Sequence, residues 1–440
     1  MGFFNKIFGL GKKELIQPDI RFGRYTDSYK TPEQYKAWDN SIEEFEKGNY
    51  LVSYRQFFQY LGNTTVNNVY VEEKDGRLNF EILQGSKKIS GFADRKKVKV
   101  ATKVVQADDL NVSFMRRLME ENYKMKYSCF ALDEENDISI IFTTYVVDGS
   151  PYKIYAALKE VATKADKLDD LLIEEFDVLH HTDASLLEEI NTAEKEVKYA
   201  FIQDNIKAVL QKIDDGGAKL QEYPGAIAYL LLNLGYKIDY LTIPEGNLME
   251  AIERIHRVFF AKDGKTSLQK NSLLYKEYRA LQKRAKPAIF KELYRVKNTF
   301  GITKPATHDR VVSFIDGELP HMDWYEENGY EHIALAIPGY IVGYCLFQFA
   351  VPKPVKQLLH LYYLVTEANY FKDLGFQYDF VENGQLNKKE IKRAIKRITD
   401  ANDQEYPRFN PDTSDLSFDN LIKFARSYLL MIRNLNLTKA

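Results

Sequence analysis

The fold of the first half of the chain is decided by residues 68–83, which read NVYVEEKDGRLNFEIL. Apolar and polar side chains alternate along residues 68–73 and again along residues 78–83, which is typical of strands with one buried face. Asp75-Gly76 separates the two runs and favours a tight turn, because glycine readily takes a positive φ. The stretch therefore predicts a β-hairpin.

The residues around this hairpin show helical and strand patterns in turn. Residues 31–63 are predicted to be helical, because Thr31 followed by Pro32 is a typical helix start. Downstream, the patterns predict a third strand, a helix with apolar residues at helical spacing, a second hairpin and a long amphipathic helix, at residues 97–106, 112–123, 126–147 and 152–176. The order α-βββ-α-ββ-α predicts an antiparallel α+β domain over residues 31–176, behind an N-terminal tail of residues 1–30.

Part of this domain has a recognisable succession of elements. A helix ends in Leu118-Met119-Glu120-Glu121-Asn122, a strand and turn read CFALDEE (129–135), a strand reads ISII (138–141), and a long helix closes the domain over residues 154–172. This succession resembles class I type III secretion chaperones and the related YbjN-like proteins. The resemblance covers residues 50–176, little more than a quarter of the chain.

The resemblance implies a non-enzymatic domain that dimerises and holds an extended partner chain by apolar grooves and strand addition. No contact residue carries over from the family, because this kind of binding depends on the shape of a surface rather than on a motif. The small secretion chaperones lack a helical second half, so a strict role in secretion does not follow.

The second half of the chain is predicted to be an all-α domain over residues 201–440, after a polar linker at residues 177–200. One stretch in it, residues 333–351, has no charged side chain over 19 positions and contains Pro338. We interpret it as a buried core helix, with a membrane span as the alternative.

Charge and cysteine content limit the class of protein. The chain has 63 acidic and 61 basic residues, a net charge of -2, which argues against a dedicated nucleic-acid binder. Cys129 and Cys345 have no metal-site spacing and are expected to be buried free thiols in a reducing compartment, which predicts a cytoplasmic protein.

The first thirteen residues are apolar and basic but have no secretory cleavage site. On a helix, Phe3, Phe4, Ile7 and Phe8 would lie on one side and could touch a membrane surface. The alternatives are a frayed tail or a short helix docked on the protein.

One stretch in the helical half could bind a cation. Residues 379–390 fit part of a twelve-residue calcium loop, with Asp379, Asn383, Asn387 and Glu390 as candidate ligands. The third position is Val381, which offers no side-chain oxygen, so binding would be weak. The alternative is that Asn383-Gly384 forms a turn and that Asn387 caps a helix with Glu390 as its capping box.

The histidines provide a second set of metal candidates. His308-Asp309, with His256 as a partner, resembles the doublet of metal phosphohydrolases, although the same residues also fit a helix start capped by Thr307. His321 and His332 are eleven residues apart, but Asn328-Gly329 between them predicts a helix break and an acidic surface. His180-His181 lies in the predicted linker and is expected to be exposed.

The chain has no phosphate-binding loop and no nucleophile motif. We therefore predict a non-enzymatic protein-interaction or chaperone-like protein, with a protein partner or a second copy of the chain, no catalytic residue and no cofactor. The alternative is a metal-dependent enzyme or a weak calcium-binding protein with its site in the helical domain.

Overall fold

The computed structural model describes residues 17–108, 112–132, 137–176, 178–181 and 186–439. These residues form two compact units. The sheet unit comprises Tyr25–Glu189 and Tyr294–Ile302, and the helical unit comprises residues 17–24, Ile190–Leu293 and the chain from Thr303 onward. The predicted fold class, an antiparallel α+β part followed by a helical part, is confirmed.

The sheet unit packs helices against one antiparallel sheet. Its helices are α1 (Pro32–Glu46), α2 (Tyr50–Leu61), α3 (Val112–Lys124) and α4 (Pro151–Glu175). Its strands are β1 (Val69–Lys74), β2 (Arg77–Gln84), β3 (Lys87–Ala93), β4 (Lys97–Ala107), β5 (Cys129–Leu132), β6 (Asp137–Tyr145), β7 (Leu179–His181), β8 (Glu188–Glu189) and β9 (Tyr294–Arg295). The sheet order is β1-β2-β3-β4-β6-β5, with β7 on the last residues of β4, while β8 pairs separately with β9.

Strand β3 was missed by the sequence analysis, which predicted three strands before helix α3 where the structure has four. Glycine weakens a strand pattern, and Gly91 lies in the middle of β3. The structure explains why glycine is needed there. A Cβ atom on Gly91 would lie 2.6 Å from the Lys99 carbonyl oxygen and 2.4 Å from the Phe80 ring.

Helix α4 supplies much of the core of the sheet unit. It begins at Pro151, where Ser150 Oγ accepts a hydrogen bond from the Lys153 N–H. Its buried face alternates small and large side chains, so that the helix can lie close to the sheet. The members of this face are Ile154, Ala157, Leu158, Val161, Ala162, Ala165 and Leu168.

A short segment from the helical half of the sequence belongs to the sheet unit. Gln84 Oε1 accepts hydrogen bonds from the N–H groups of Thr299 (3.1 Å) and Phe300 (2.9 Å). Asn68 Nδ2 donates to Thr299 Oγ1 at 2.9 Å, and the Phe300 ring lies in the core of the sheet unit. The predicted linker at residues 177–200 likewise contains β7, β8 and the start of a helix, and the division between the units falls at Glu189 and Ile190.

The helical unit consists of helices with a few two-residue strands between them. Its helices are α5 (Thr192–Asp215), α6 (Gly217–Gln221), α7 (Pro224–Thr242), α8 (Gly246–Phe260), α9 (Ser267–Gln282), α10 (Lys286–Lys291), α11 (His308–Glu318), α12 (His321–Glu327), α13 (Glu331–Gln348), α14 (Lys353–Thr366), α15 (Ala368–Asp373), α16 (Lys388–Asn402) and α17 (Leu421–Arg433). The strands are β10 (Lys304–Pro305), β11 (Phe349–Ala350), β12 (Val381–Glu382) and β13 (Gln385–Leu386).

The apolar stretch at residues 333–351 forms most of helix α13, which is buried on all sides against its neighbours. Glycine lets α13 approach α7 closely, since a Cβ atom on Gly343 would lie 2.6 Å from the Cβ atom of Tyr236. Among the described residues, no helix is both long enough and apolar enough to cross a membrane. It is the burial of α13 among other helices that confirms the core-helix interpretation.

The two cysteines differ in their environment. Cys345 is buried in α13, and burial raises the pKa of its thiol to about 12. Cys129 is exposed at the start of strand β5, so the expectation that both thiols are buried is wrong for Cys129. The reason is that β5 is the last strand of the sheet. Phe3, Phe4, Ile7 and Phe8, the residues of the predicted membrane contact, lie outside the described residues.

Candidate binding surfaces

The predicted calcium loop contains a β-hairpin. Strands β12 and β13 pair through Val381–Leu386 and Glu382–Gln385. The two turn residues between them, Asn383 and Gly384, have φ values of 51° and 76°. Two successive residues with positive φ are typical of a type I′ turn, for which Asn-Gly is a favoured pair.

Two of the four candidates, Asn387 and Glu390 at the end of this loop, already have partners. Asn387 Oδ1 accepts a hydrogen bond from the Glu390 N–H at 3.2 Å and caps helix α16. The Glu390 carboxylate pairs with Arg393. A calcium ion needs several oxygens that converge on one point, whereas these oxygens are bound to neighbouring groups. The turn-and-cap alternative thus accounts for the contacts seen, and calcium binding at Asp379, Asn383, Asn387 and Glu390 stays a prediction.

The histidine candidates lie on separate elements. His308 is the first residue of α11, and burial lowers its pKa. His256 Nδ1 lies 2.7 Å from the Tyr236 hydroxyl, and burial lowers its pKa to about 4. In the part of the chain that the structure describes, no group of three or more His, Cys, Asp or Glu side chains could hold a metal ion.

The other histidine candidates also lie on separate elements. His321 lies on α12 and His332 on α13, and the predicted helix break between them is confirmed at Asn328 and Gly329. His180 belongs to strand β7 rather than to a linker, and its exposed ring contacts Asp108 at 2.6 Å. These positions give no support to a metal-dependent reaction.

Helix α3 and the segment around strand β5 form an exposed apolar surface. Val112, Met119 and Tyr123 are exposed to 85%, 71% and 93%. Their spacing of seven and four residues places them on one face of the helix. Tyr127, two residues before β5, and Leu132, the last residue of β5, are also exposed. We call these five residues the α3–β5 patch.

The opposite face of α3 fixes the helix to the rest of the unit. Phe114 and Leu118 are buried in the core. Glu121 is also buried and accepts hydrogen bonds from Arg117 (2.5 Å) and Lys124 (2.7 Å), while Lys164 of α4 lies 3.6 Å away. Burial opposes ionisation of Glu121, but these cations outweigh it and hold the pKa of its carboxyl below the ordinary value. The exposed residues of α3 therefore lie on a helix whose opposite face is anchored in the core.

The backbone of strand β5 is partly covered. Asn122 Oδ1, at the end of α3, accepts a hydrogen bond from the Phe130 N–H at 2.6 Å. Glu160 of α4 accepts hydrogen bonds of 2.8–2.9 Å from the N–H groups of residues 126–128 and from Ser128 Oγ. Burial of Glu160 is outweighed by these donors, which hold the pKa of its carboxyl below the ordinary value. Asn122 thus protects this sheet edge, which is a common site of unwanted strand pairing.

The helical unit has a groove of about 1080 Å³, and all of its walls belong to that unit. Helix α5, the α14–α15 junction, the β12–β13 hairpin and the start of α17 form the walls. Phe201 and Tyr370 pack on its floor with their ring centroids 4.2 Å apart. Five carboxylates line the groove, and among its described lining residues none is Lys, Arg or His: the five are Glu196, Asp204, Glu367, Asp373 and Asp419. We call this the acidic groove.

Comparison with protein-family models gives no match, and comparison with curated proteins finds no relative. Sequence reasoning missed both surfaces. Val112 and Met119 helped to predict helix α3. Which side of α3 faces solvent is set by Phe114 and Leu118, which are four residues apart and form the buried side. The acidic groove joins residues more than 200 positions apart, so no local pattern could reveal it.

Proposed function

We propose that the protein is a non-enzymatic, chaperone-like interaction module that binds a partner protein through the α3–β5 patch. The observation that carries this proposal is the exposure of Val112, Met119 and Tyr123 on a helix whose other face is in the core. Single exposed apolar residues are ordinary, but several large ones on one face of a helix indicate an interaction surface. Tyr and Met are enriched at such surfaces.

The described geometry favours side-chain docking over strand addition. A partner strand that paired with β5 would have to displace Asn122 from the Phe130 N–H. A helix or loop that lays apolar side chains on Met119 and Tyr123 would leave this hydrogen bond intact. The two free cysteines support a reducing compartment, and we propose that the protein acts in the cytoplasm.

The test is quantitative capture of partners from the native cell extract with the tagged full chain. We expect the double variant M119D/Y123D to capture at least about tenfold less partner than the wild type, because each substitution places a charge in an apolar contact. The matched control is Y145D/V147D, whose wild-type residues are exposed to 69% and 62% in the same unit. This control is expected to retain the partner.

The same experiment separates the two kinds of partner. If the tagged chain recovers an untagged copy of itself, and M119D/Y123D abolishes this, the patch is a homodimer interface. Equal capture by the wild type and by M119D/Y123D would contradict the proposal. All the substituted side chains are exposed, so we expect each variant to stay within about 0.5 kcal/mol of the wild-type free energy of unfolding.

A further inference from the structure

We propose that the acidic groove of the helical unit binds residues 1–16 of the same chain. Those residues lie outside the described residues, and the inference rests on the groove, on the sequence of the segment and on where the described chain begins. It goes beyond the proposed function, because it concerns the helical unit and does not depend on the α3–β5 patch.

The groove has an excess of negative charge. Three of its carboxylates have a cation nearby: Glu367 pairs with Lys237 at 2.9 Å, Glu196 with Lys286 at 2.6 Å and Asp419 with Lys423 at 3.3 Å. The other two, Asp204 and Asp373, are exposed and make no ion pair with any described residue. A bound cationic segment would therefore form two new ion pairs, with Asp204 and Asp373.

Part of the groove lining is apolar, so a segment that also offers apolar side chains fits it. Val197, Phe201, Tyr370, Leu386 and Leu421 line it. The groove thus suits a peptide with large apolar side chains and lysines in one short stretch, since burial of apolar area drives docking and charge sets its orientation.

Residues 1–16 have this composition. The segment reads MGFFNKIFGLGKKELI and includes the large apolar side chains Phe3, Phe4, Ile7 and Phe8. Three lysines and a single glutamate accompany them. Its net positive charge is complementary to that of the groove.

The described chain begins beside the groove. Gln17 Nε2 donates to the Gln377 carbonyl oxygen at 3.3 Å, and the Gln377 N–H donates to Gln17 Oε1 at 3.1 Å. Gln377 lies four residues after Asp373 and four residues before Val381, both of which line the groove. Four residues span at most about 14 Å, so residues 1–16 start within easy reach of the site.

Docking of a linked segment needs no high intrinsic affinity. A short tether raises the local concentration of the segment to the millimolar range, so weak contacts suffice.

The test uses the full chain with a photoreactive benzophenone side chain in place of Phe8. After irradiation, mass spectrometry of the digested protein locates the adducts. We expect adducts on the groove walls at residues 365–373 and 418–421. We expect D204K/D373K to lower this yield at least about fivefold, because the variant reverses the charge of the two unpaired carboxylates.

The matched control is E222K/E327K, which reverses two exposed acidic residues of the same unit outside the groove and is expected to leave the yield unchanged. Adducts outside the groove, or groove adducts that D204K/D373K leaves unchanged, would overturn the proposal. Adducts between differently isotope-labelled copies would replace it by a contact between two chains. If adducts form only when anionic lipid vesicles are added, and form on the lipid, contact with a membrane would replace docking in the groove.

Discussion

The two units bury their ionised side chains in different ways. In the sheet unit, Lys87 pairs with Asp169 at 2.8 Å, with side-chain exposures of 3% and 0%, and Asp166 lies one turn before Asp169 on helix α4. In the helical unit, Arg24 donates three hydrogen bonds of 2.6–3.0 Å to Asp239 and another of 3.0 Å to Glu253. Lys87 thus pairs directly with one of two neighbouring carboxylates in the first unit, whereas the Arg24 guanidinium pairs with both carboxylates in the second.

The difference lies in the geometry of the cation. An ammonium is a compact point charge, whereas a guanidinium presents a planar set of donors that can satisfy two carboxylates at once. Burial raises the pKa of Asp166 to about 7, and the neighbouring charge of Asp169 adds to this effect. Burial opposes the charge on Arg24, but Asp239 and Glu253 outweigh it and raise the pKa of the guanidinium. We therefore expect Asp166 of the sheet unit to make stability change with pH near 7, whereas the Arg24 guanidinium of the helical unit does not titrate there.

The largest effect is expected from D169L, which leaves the Lys87 ammonium buried without its closest counter-charge. We expect a loss of about 3–5 kcal/mol in the free energy of unfolding of the sheet unit. The measurement is urea denaturation, monitored through the fluorescence of Trp38 in a W324F background. Trp38 is the tryptophan of the sheet unit. The double variant K87M/D169L should recover at least half of the loss, and a loss below about 1 kcal/mol for D169L would show that the pair matters little.

A somewhat smaller effect is expected from R24M in the helical unit. The substitution leaves Asp239, whose side chain is 3% exposed, beside Glu253. We expect a loss of about 3 kcal/mol, because Asp239 can take up a proton and so reduce the cost of its burial. The fluorescence of Trp324 in a W38F background reports on this unit. R24K is the comparison variant, and full stability with lysine would contradict the role assigned to the guanidinium fork.

The smallest stability effect is the pH dependence carried by Asp166. Its folded pKa of about 7 lies above the ordinary value of 3.8, so the folded state holds a proton that the unfolded state releases. The contribution of Asp166 to stability is therefore fully present below pH 3.8 and is lost as pH rises from there through 7. We expect D166N to gain about 1–2 kcal/mol over the wild type at pH 8 and little at pH 5, since partial exposure reduces the full effect. An equal difference at both values would contradict the shifted pKa.

The sheet unit shows how much of a fold local pattern can predict. The hairpin at residues 68–83 was predicted because its alternation and its Asp-Gly turn agree, and β1 and β2 pair there with Lys74 opposite Arg77. Strand β3 was missed because Gly91 interrupts its pattern, although the strand needs glycine for close packing. The segment around Thr299 was placed in the helical half because its attachment depends on hydrogen bonds to Gln84, which lies more than 200 residues away.

The candidate sites show what local sequence pattern does not predict. The calcium loop that begins at Asp379 was predicted from residue types alone. The same residue types also make a tight turn and a helix cap, and the observed contacts are those of the turn and the cap. The α3–β5 patch depends on which face of a helix is covered, and the acidic groove depends on walls brought together by the fold. Neither property is encoded in a local spacing, so both require the structure.

The role of the α3–β5 patch is tested by the mass of the assembly that the full chain forms with its captured partner, measured by light scattering. We predict that the wild type and Y145D/V147D form an assembly heavier than the single chain of 51.2 kDa. We predict that M119D/Y123D remains at the mass of the single chain. If all three proteins show the same mass, the patch is not the interaction surface and the proposed function is wrong.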